Sequence, residues 1–371
     1  MNILIIGNGF DLAHGLKTKY NDFLDYCRNQ YYNRCITYMP TNVFFTNMWI
    51  RHFINIHNCK GKNWIDLEQE IYNILIHTTN LPIIKTKDCH QIFTINFKDD
   101  SFNFYNINHY LSEPFAKGFL EAGYTRCDEH NNINYQIYFA SSRGFIDYLY
   151  EQLREFTKIF QEYLISEVLS KLDNVHKYQL SLKAIGVNKG DKDVHVLSFN
   201  YTDTCKRLYD QKFNTYCDMN IKPVYVHGEV RTNNECNLVL GTRTIDHFND
   251  LISADFNVFQ KHNQRHKYGT IEPYQDLLRK IKKTKSTPIF HIIGHSLDSS
   301  DHNILKHILR ANNDSIIYIY YFDESNQEKL MHNINEIIGE EEVMEKVRFI
   351  YQHDEKRGIL KPQKESNLVK T

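Results

Sequence analysis

The sequence has no excess of charge of either sign: 44 Lys+Arg stand against 45 Asp+Glu over 371 residues, a formal charge of −1. That balance leaves no global basic field to gather nucleic acid or an anionic membrane, so a nucleic-acid partner is unsupported. No apolar run approaches the roughly 20 residues of a membrane-spanning helix, and no leader segment is read at the start. The eight cysteines contain no CxxC pair, the pattern of reduced thiols in a cytoplasmic protein. His262 and His266 are spaced to share a helix face as metal ligands, but no glutamate lies between them in a metalloprotease pattern. No metal is therefore expected. Nor does a clustered Asp/Glu/Lys motif point to a metal-dependent nuclease.

What is present is the composition of a globular protein with a sizeable core, 42% hydrophobic and 24% charged. The chain is organised around its first twenty residues, MNILIIGNGFDLAHGLKTKY. Ile3 to Ile6 form a β-branched apolar run bounded by Gly7-Asn8-Gly9, which predicts a buried strand, a tight turn and a short helix whose first turn holds Asp11. Such a turn aims backbone N–H groups and the positive end of a helix dipole at one place, where a phosphate can sit. The third glycine of a dinucleotide fingerprint is absent, since Leu12 stands there. Asp11 would repel a pyrophosphate, so it is read as a helix cap or as an acceptor for a ribose hydroxyl.

From Asn21 to about His77 the pattern is helical. One stripe carries Trp64, Leu67, Ile71, Ile74 and Leu75, with Glu68 inside it. A carboxylate there costs several kcal/mol if unpaired, so Glu68 has a partner, faces a cavity or lies at the edge of the stripe. QIFTINF and NYQIYFA read as strands, and Arg143 to Leu172 as one long helix. Strands follow at 194–199, 223–226, 237–241, 287–294, 315–323 and 347–351, with a helix opening at Asn200-Tyr201-Thr202 and another at His302. The expectation is an α/β fold. A Rossmann-like, mostly parallel sheet comes from 1–20 and 187–353, a largely helical lobe with a small β hairpin is inserted at 21–186, and 354–371 is a flexible tail.

In such sheets ligands collect outside the carboxyl ends of the strands. That rule selects Gly7, Gly9 and Asp11 after the first strand, Asn200 and Thr202 after the next, His227 with Gly228 after the third, and Gly294, His295 and Ser296 after a later one. Each has a plain alternative: Asn200 as a helix cap, His227 as a turn histidine, and Ser296, Ser299 and Asp301 as capping residues.

The segments IIGNGFDLAHGLKTKY, SFNYTD, VHGEV, LVLGTRT and IIGHSLDSSD, in this order, resemble the AbiH family of bacterial phage abortive-infection proteins. AbiH proteins in turn resemble SIR2-like domains, which bind NAD and in several defence systems hydrolyse it. The resemblance implies an anti-phage NAD hydrolase that cleaves the nicotinamide–ribose bond, with NAD or a related nucleotide as ligand. It assigns Gly7 and Gly9 to the pyrophosphate, Asn200 and His227 to the reacting ribose, and Gly294 and Ser296 to the adenosine side, with Asn8, Asp11 and His295 among the nucleotide-binding residues. Thr18 and Tyr20 fall at the nicotinamide end, with Thr202, Gly228 and Asp301 in the same binding set. SIR2-like proteins carry an acid two positions after the Asn, where this chain has Thr202, and deacylase relatives carry four zinc cysteines that it lacks. A deacylase is thus disfavoured. The alternatives are a nucleotide-sensing module that engages a phage or host trigger, or an infection-activated nuclease. A homo-oligomer is compatible with each.

Overall fold

The computed structural model describes residues 1–35, 47, 49–50, 52–54, 67–79, 92–96, 103–107, 121–125, 134–139, 142–174, 178–233, 235–243, 256–353 and 360–362. Contacts divide the chain into two compact units, one from Met1–Lys19, Gln161–Val239 and Gln264–Thr371, the other from Tyr20–Phe160 and Leu240–Asn263. These boundaries differ from the expected ones at 161–186, which goes with the sheet unit, and at 240–263, which goes with the other.

The first unit is built on β1 (Asn2–Ile6), β2 (Val194–Ser198), β3 (Val224–Tyr225), β4 (Ile289–Ile293), β5 (Ile316–Tyr321) and β6 (Val347–Tyr351). Their order across the sheet is β3-β2-β1-β4-β5-β6, and every pairing is parallel. This is a Rossmann-like arrangement, with strand order reversing at β1. Ile6 pairs with both Ser198 and Ile293, so the three central strands end level. Every residue of β1 is buried, because a central parallel strand has neighbours on both sides and helices on both faces.

Alternation along β1 then sorts its side chains between two cores. Ile3 and Ile5 join the core that includes Leu277 and Ile281 of α4 (Ile271–Lys283), Ile304 and Ile308 of α5 (His302–Leu309), and Leu330 and Ile334 of α6 (Glu324–Ile338). Leu4 and Ile6 join the core on which α2 (Thr204–Cys217) lays Cys205, Tyr209, Phe213 and Cys217 at four-residue steps. The predicted first helix is α1 (Asn8–Ala13). Between α2 and α4 runs α3 (Lys261–Lys267).

Three expectations need correction. NLVLG at 237–241 is not a strand: Val239 N–H donates to the His227 carbonyl at 2.7 Å, and the Val239 carbonyl accepts from the Tyr201 hydroxyl at 3.0 Å. The helix expected to open at Asn200 starts at Thr204 and runs to Cys217. Within the tail, Leu360–Pro362 pairs antiparallel with Tyr178–Leu180, so that stretch is a strand.

In the second unit, the expected hairpin is part of a four-stranded antiparallel sheet, in the order Asn103–Ile107, Ile92–Asn96, Asn134–Phe139, Glu121–Thr125. The long helix is α-helical over Ser142–Tyr163 and continues as a π turn (Leu164–Val168) and a 3-10 turn (Leu169–Asn174). Phe156 packs between Phe23 and Phe53, with ring centroids 5.4 and 5.5 Å away. Glu68, on Leu67–Thr79, has the partner its position demanded: Lys261 Nζ lies 2.6 Å from its carboxylate, with both side chains shielded from solvent. Trp64 lies outside the described residues. No helix among the described residues is long and apolar enough to cross a membrane.

Candidate functional site at the strand ends

The carboxyl ends of β1, β2, β3 and β4 carry almost all of the residues singled out above. Backbone bonds continue the ladder past the strands: Phe199 N–H donates to the Ile6 carbonyl, Val226 N–H to Ser198, and Gly7 N–H to Ile293. The loops therefore leave the sheet side by side.

Gly7 and Gly9 owe their identity to this crowding. The Gly9 N–H donates to the Gly294 carbonyl at 2.7 Å, and a Cβ on Gly7 would stand 2.5 Å from the His295 Cα. Gly294 is tighter still, because it has φ +63° and a Cβ there would meet the Phe10 nitrogen at 2.2 Å. Gly294→Ala is expected to destabilise the protein by about 1–3 kcal/mol through strain and lost loop packing, a loss that chemical denaturation would register. Gly228 (φ +80°) has the same constraint against the Asn237 carbonyl.

Two groups of polar side chains lie over this edge. The first joins α1 to the β2 loop. Asp11 is 1% exposed, and its Oδ2 accepts a short hydrogen bond from the Thr202 hydroxyl, which itself accepts from Thr204 at 3.1 Å. Burial pushes the Asp11 carboxyl up to about 7, against the opposing pull of Thr202, Thr204 and Asn200. Asp11 Oδ1 and Asn200 Oδ1 are both buried and have no hydrogen-bond partner among the described residues, a costly state for a polar atom unless a ligand or solvent meets it. Asn200 does not cap α2, whose N-cap residue is Asp203.

α1 itself is anchored by a directed chain. Leu180 N–H donates to the Tyr209 hydroxyl at 3.0 Å, and that hydroxyl lies 2.6 Å from His14 Nε2. His14 Nδ1 is 2.7 Å from the Phe10 carbonyl, which can only accept, so the neutral ring carries its proton on Nδ1.

The second group surrounds Asp301. Its Oδ1 lies 2.9 Å from His227 Nε2 and 3.1 Å from Arg265 Nη2, and Arg265 Nη2 is also 3.1 Å from His227 Nε2. A guanidinium only donates, so His227 Nε2 either gives its proton to Asp301 or accepts one from Arg265. The two arrangements differ in which ring nitrogen carries the proton. His295 completes the group: its Nδ1 accepts from Leu297 N–H at 2.9 Å, which puts the neutral ring's proton on Nε2, 4.0 Å from Asp301 Oδ2. Leu297 holds a left-handed φ of 58° to make this turn. The Phe199 ring lies edge-on to His295 and His227, with centroids 4.3 and 5.5 Å away.

Asp301 sits at the N-cap position of α5, but its carboxylate turns to the histidine and arginine and makes no cap bond. Ser296 is exposed, and its carbonyl accepts from Asn333. Asn8 is exposed and donates to the Thr18 carbonyl at 3.3 Å, while the Thr18 hydroxyl is buried without a partner among the described residues. Tyr20 opens the helix Tyr20–Cys35 in the other compact unit, where its ring packs on Phe160.

Sequence reasoning missed Arg265. The seven-residue α3 is too short for a periodicity to mark its buried side, and the eye goes to the histidines flanking the arginine. Thr270 sets its place, donating its N–H to the Arg265 carbonyl and its hydroxyl to the Val226 carbonyl, one residue before His227.

Among families of known proteins, residues 3–322 match the family model described as bacteriophage abortive infection AbiH. No curated protein and no solved structure matches the chain.

Proposed function

The chain belongs to the AbiH family of bacteriophage abortive-infection proteins, and on that premise we propose that its strand-end cluster binds NAD and hydrolyses the nicotinamide–ribose bond during infection. The observation that carries this reading is the orphaned, buried Asn200 amide oxygen at the end of β2, with the buried His227 at the end of the neighbouring β3. An amide and an imidazole so placed suit a sugar with several hydroxyls. The SIR2-like order of motifs points to the same pair.

The chemistry asks little of an enzyme. Nicotinamide in NAD is already a cationic leaving group, so its departure needs no protonating carboxylic acid of the kind that ordinary glycosidases use. Asn200 orients the water or the ribose, and His227, held by Asp301 and Arg265, takes up a proton from a ribose hydroxyl. Positioning and electrostatics carry most of the rate.

Purified protein incubated with NAD is expected to release nicotinamide, and Asn200→Ala and His227→Ala are each expected to reduce release by about 10²–10⁴-fold without loss of the fold. Basal turnover is expected to be low and to rise with lysate from infected cells, because a toxic activity has to be held off in healthy ones. The burial of Asp11, Asn200, His227 and Asp301 suits such a restrained state. It also favours the second reading, a nucleotide sensor that binds without turnover. Binding with no nicotinamide release under any of these conditions would decide for the sensor.

A further inference from the structure

The imidazole of His227 is occupied on its Nε2 side by Asp301 and Arg265, whereas the Asp11 carboxyl keeps an open oxygen. Thr204 donates to Thr202 and Thr202 donates to Asp11 Oδ2, so this relay of hydroxyls is spent on one oxygen only. Oδ1 is left without a partner among the described residues, in a side chain 1% exposed, and the Asn200 Oδ1 is in the same condition in a side chain 7% exposed. Asn200 stands two residues before Thr202, whose hydroxyl donates to Asp11, so the two orphaned oxygens belong to one cluster where α1 meets the loop after β2. Both are acceptors. A water has two hydrogens to donate, and one that gives both to such a pair turns its lone pairs outward.

We propose that Asp11 is the proton acceptor for the hydrolytic water, which Asp11 Oδ1 and Asn200 Oδ1 hold by its two hydrogens. This rests on the NAD-hydrolase reading. As the water oxygen bonds to the anomeric carbon, the carbon–nitrogen bond breaks and its electron pair neutralises the nicotinamide ring. Asp11 takes one water proton and later passes it to solvent, so the products are nicotinamide, ADP-ribose and one proton. The groups facing Asp11 are Asp203 and Cys205 at the start of α2 and Tyr225 on β3, together with the Thr202, Thr204 and Asn200 side chains. Asp203 and burial oppose the carboxylate, and the donors favour it. The balance leaves Asp11 able to hold or release a proton near neutral pH.

The test is nicotinamide release between pH 5 and 9, about one pH unit apart, with NAD affinity measured in parallel by calorimetry. Wild-type release is expected to rise about tenfold per pH unit up to roughly pH 7 and then level off. Asp11→Asn should bind NAD within about threefold of wild type, release nicotinamide at least ~100-fold more slowly and lose the rising limb. A variant that keeps the wild-type rate, or slows while keeping that limb, overturns the role of Asp11 and leaves the hydrolase reading intact. If Asp11→Asn does not fold, Thr202→Val decides. Loss of the Oδ2 donor should move the midpoint of the limb to higher pH by roughly half a unit or more, and an unmoved midpoint overturns the proposal. No release by wild type at any pH, infected-cell lysate included, overturns both.

Discussion

Asp301→Ala is expected to destabilise the protein by about 3–5 kcal/mol, the usual cost of leaving one member of a buried ion pair without its counter-charge. Arg265 is 4% exposed, and Asp301 Oδ1 is the carboxylate oxygen within 3.1 Å of its Nη2, so removing the carboxylate strands a cation inside the sheet unit. His227 would lose the same partner. The effect belongs to the stranded charge and not to a missing contact, which a double substitution separates. Asp301→Leu combined with Arg265→Leu removes both charges and is expected to recover much of the loss, since apolar replacements of buried pairs are often close to neutral. Urea denaturation of the single and double variants measures it. A single variant less than ~1 kcal/mol below wild type would mean that the cation finds solvent or another anion, contrary to its burial.

Asp11→Asn is expected to act in the opposite direction, making the protein more stable than wild type at pH 8. The folded-state pKa of Asp11 is raised from 3.8 to about 7. Between those values the folded chain holds a proton that the unfolded chain has released, so wild-type stability falls as pH rises from about 4 to about 7, by up to roughly 4 kcal/mol. Asparagine keeps an acceptor for Thr202 and does not titrate. The two proteins should therefore be alike at pH 4 and differ by a few kcal/mol at pH 8. His291 slopes the other way in both: burial pushes it down to about 4, so its contribution is lost as pH falls from about 6.5 towards 4. The difference between variant and wild type isolates Asp11 because His291 cancels. A difference that does not grow from pH 4 to pH 8 would show that the carboxyl is not desolvated. The cost of keeping Asp11 in the fold is the kind of strain that polar sites carry for function and cores do not.

Much of the fold was legible because it is local. The NILII run, its glycine turn and the short helix behind it follow from β-branched composition and punctuation. The four-residue steps from Cys205 to Cys217 mark an amphipathic helix, although its start was read four residues early. NLVLG failed as a strand because an apolar pentapeptide can bury its side chains while its backbone bonds go elsewhere, here between His227 and Tyr201. The glycines at 7, 9 and 294 were found for their spacing. What they accommodate is another loop's backbone, and no periodicity reports that.

The sequence by itself determined which residues stand at the ends of parallel strands, because strand, turn and helix follow one another within a few residues and each leaves its own pattern. Only the tertiary structure decided which of those residues meet. Asp11 reaches Thr202 across 191 positions, and Asp301 reaches His227 across 74. Both encounters depend on the strand order, which places β1 beside β2 and β4 although long stretches of chain separate them. Charge placement follows from that order too: one carboxylate is neutralised by a guanidinium brought in on α3, and the other is left among hydroxyls and an amide with no cation against it among the described residues. The same side chain beyond the end of a parallel strand thus becomes an ion-pair anchor in one place and a buried carboxyl among hydroxyls in the other, through the company that long-range packing supplies.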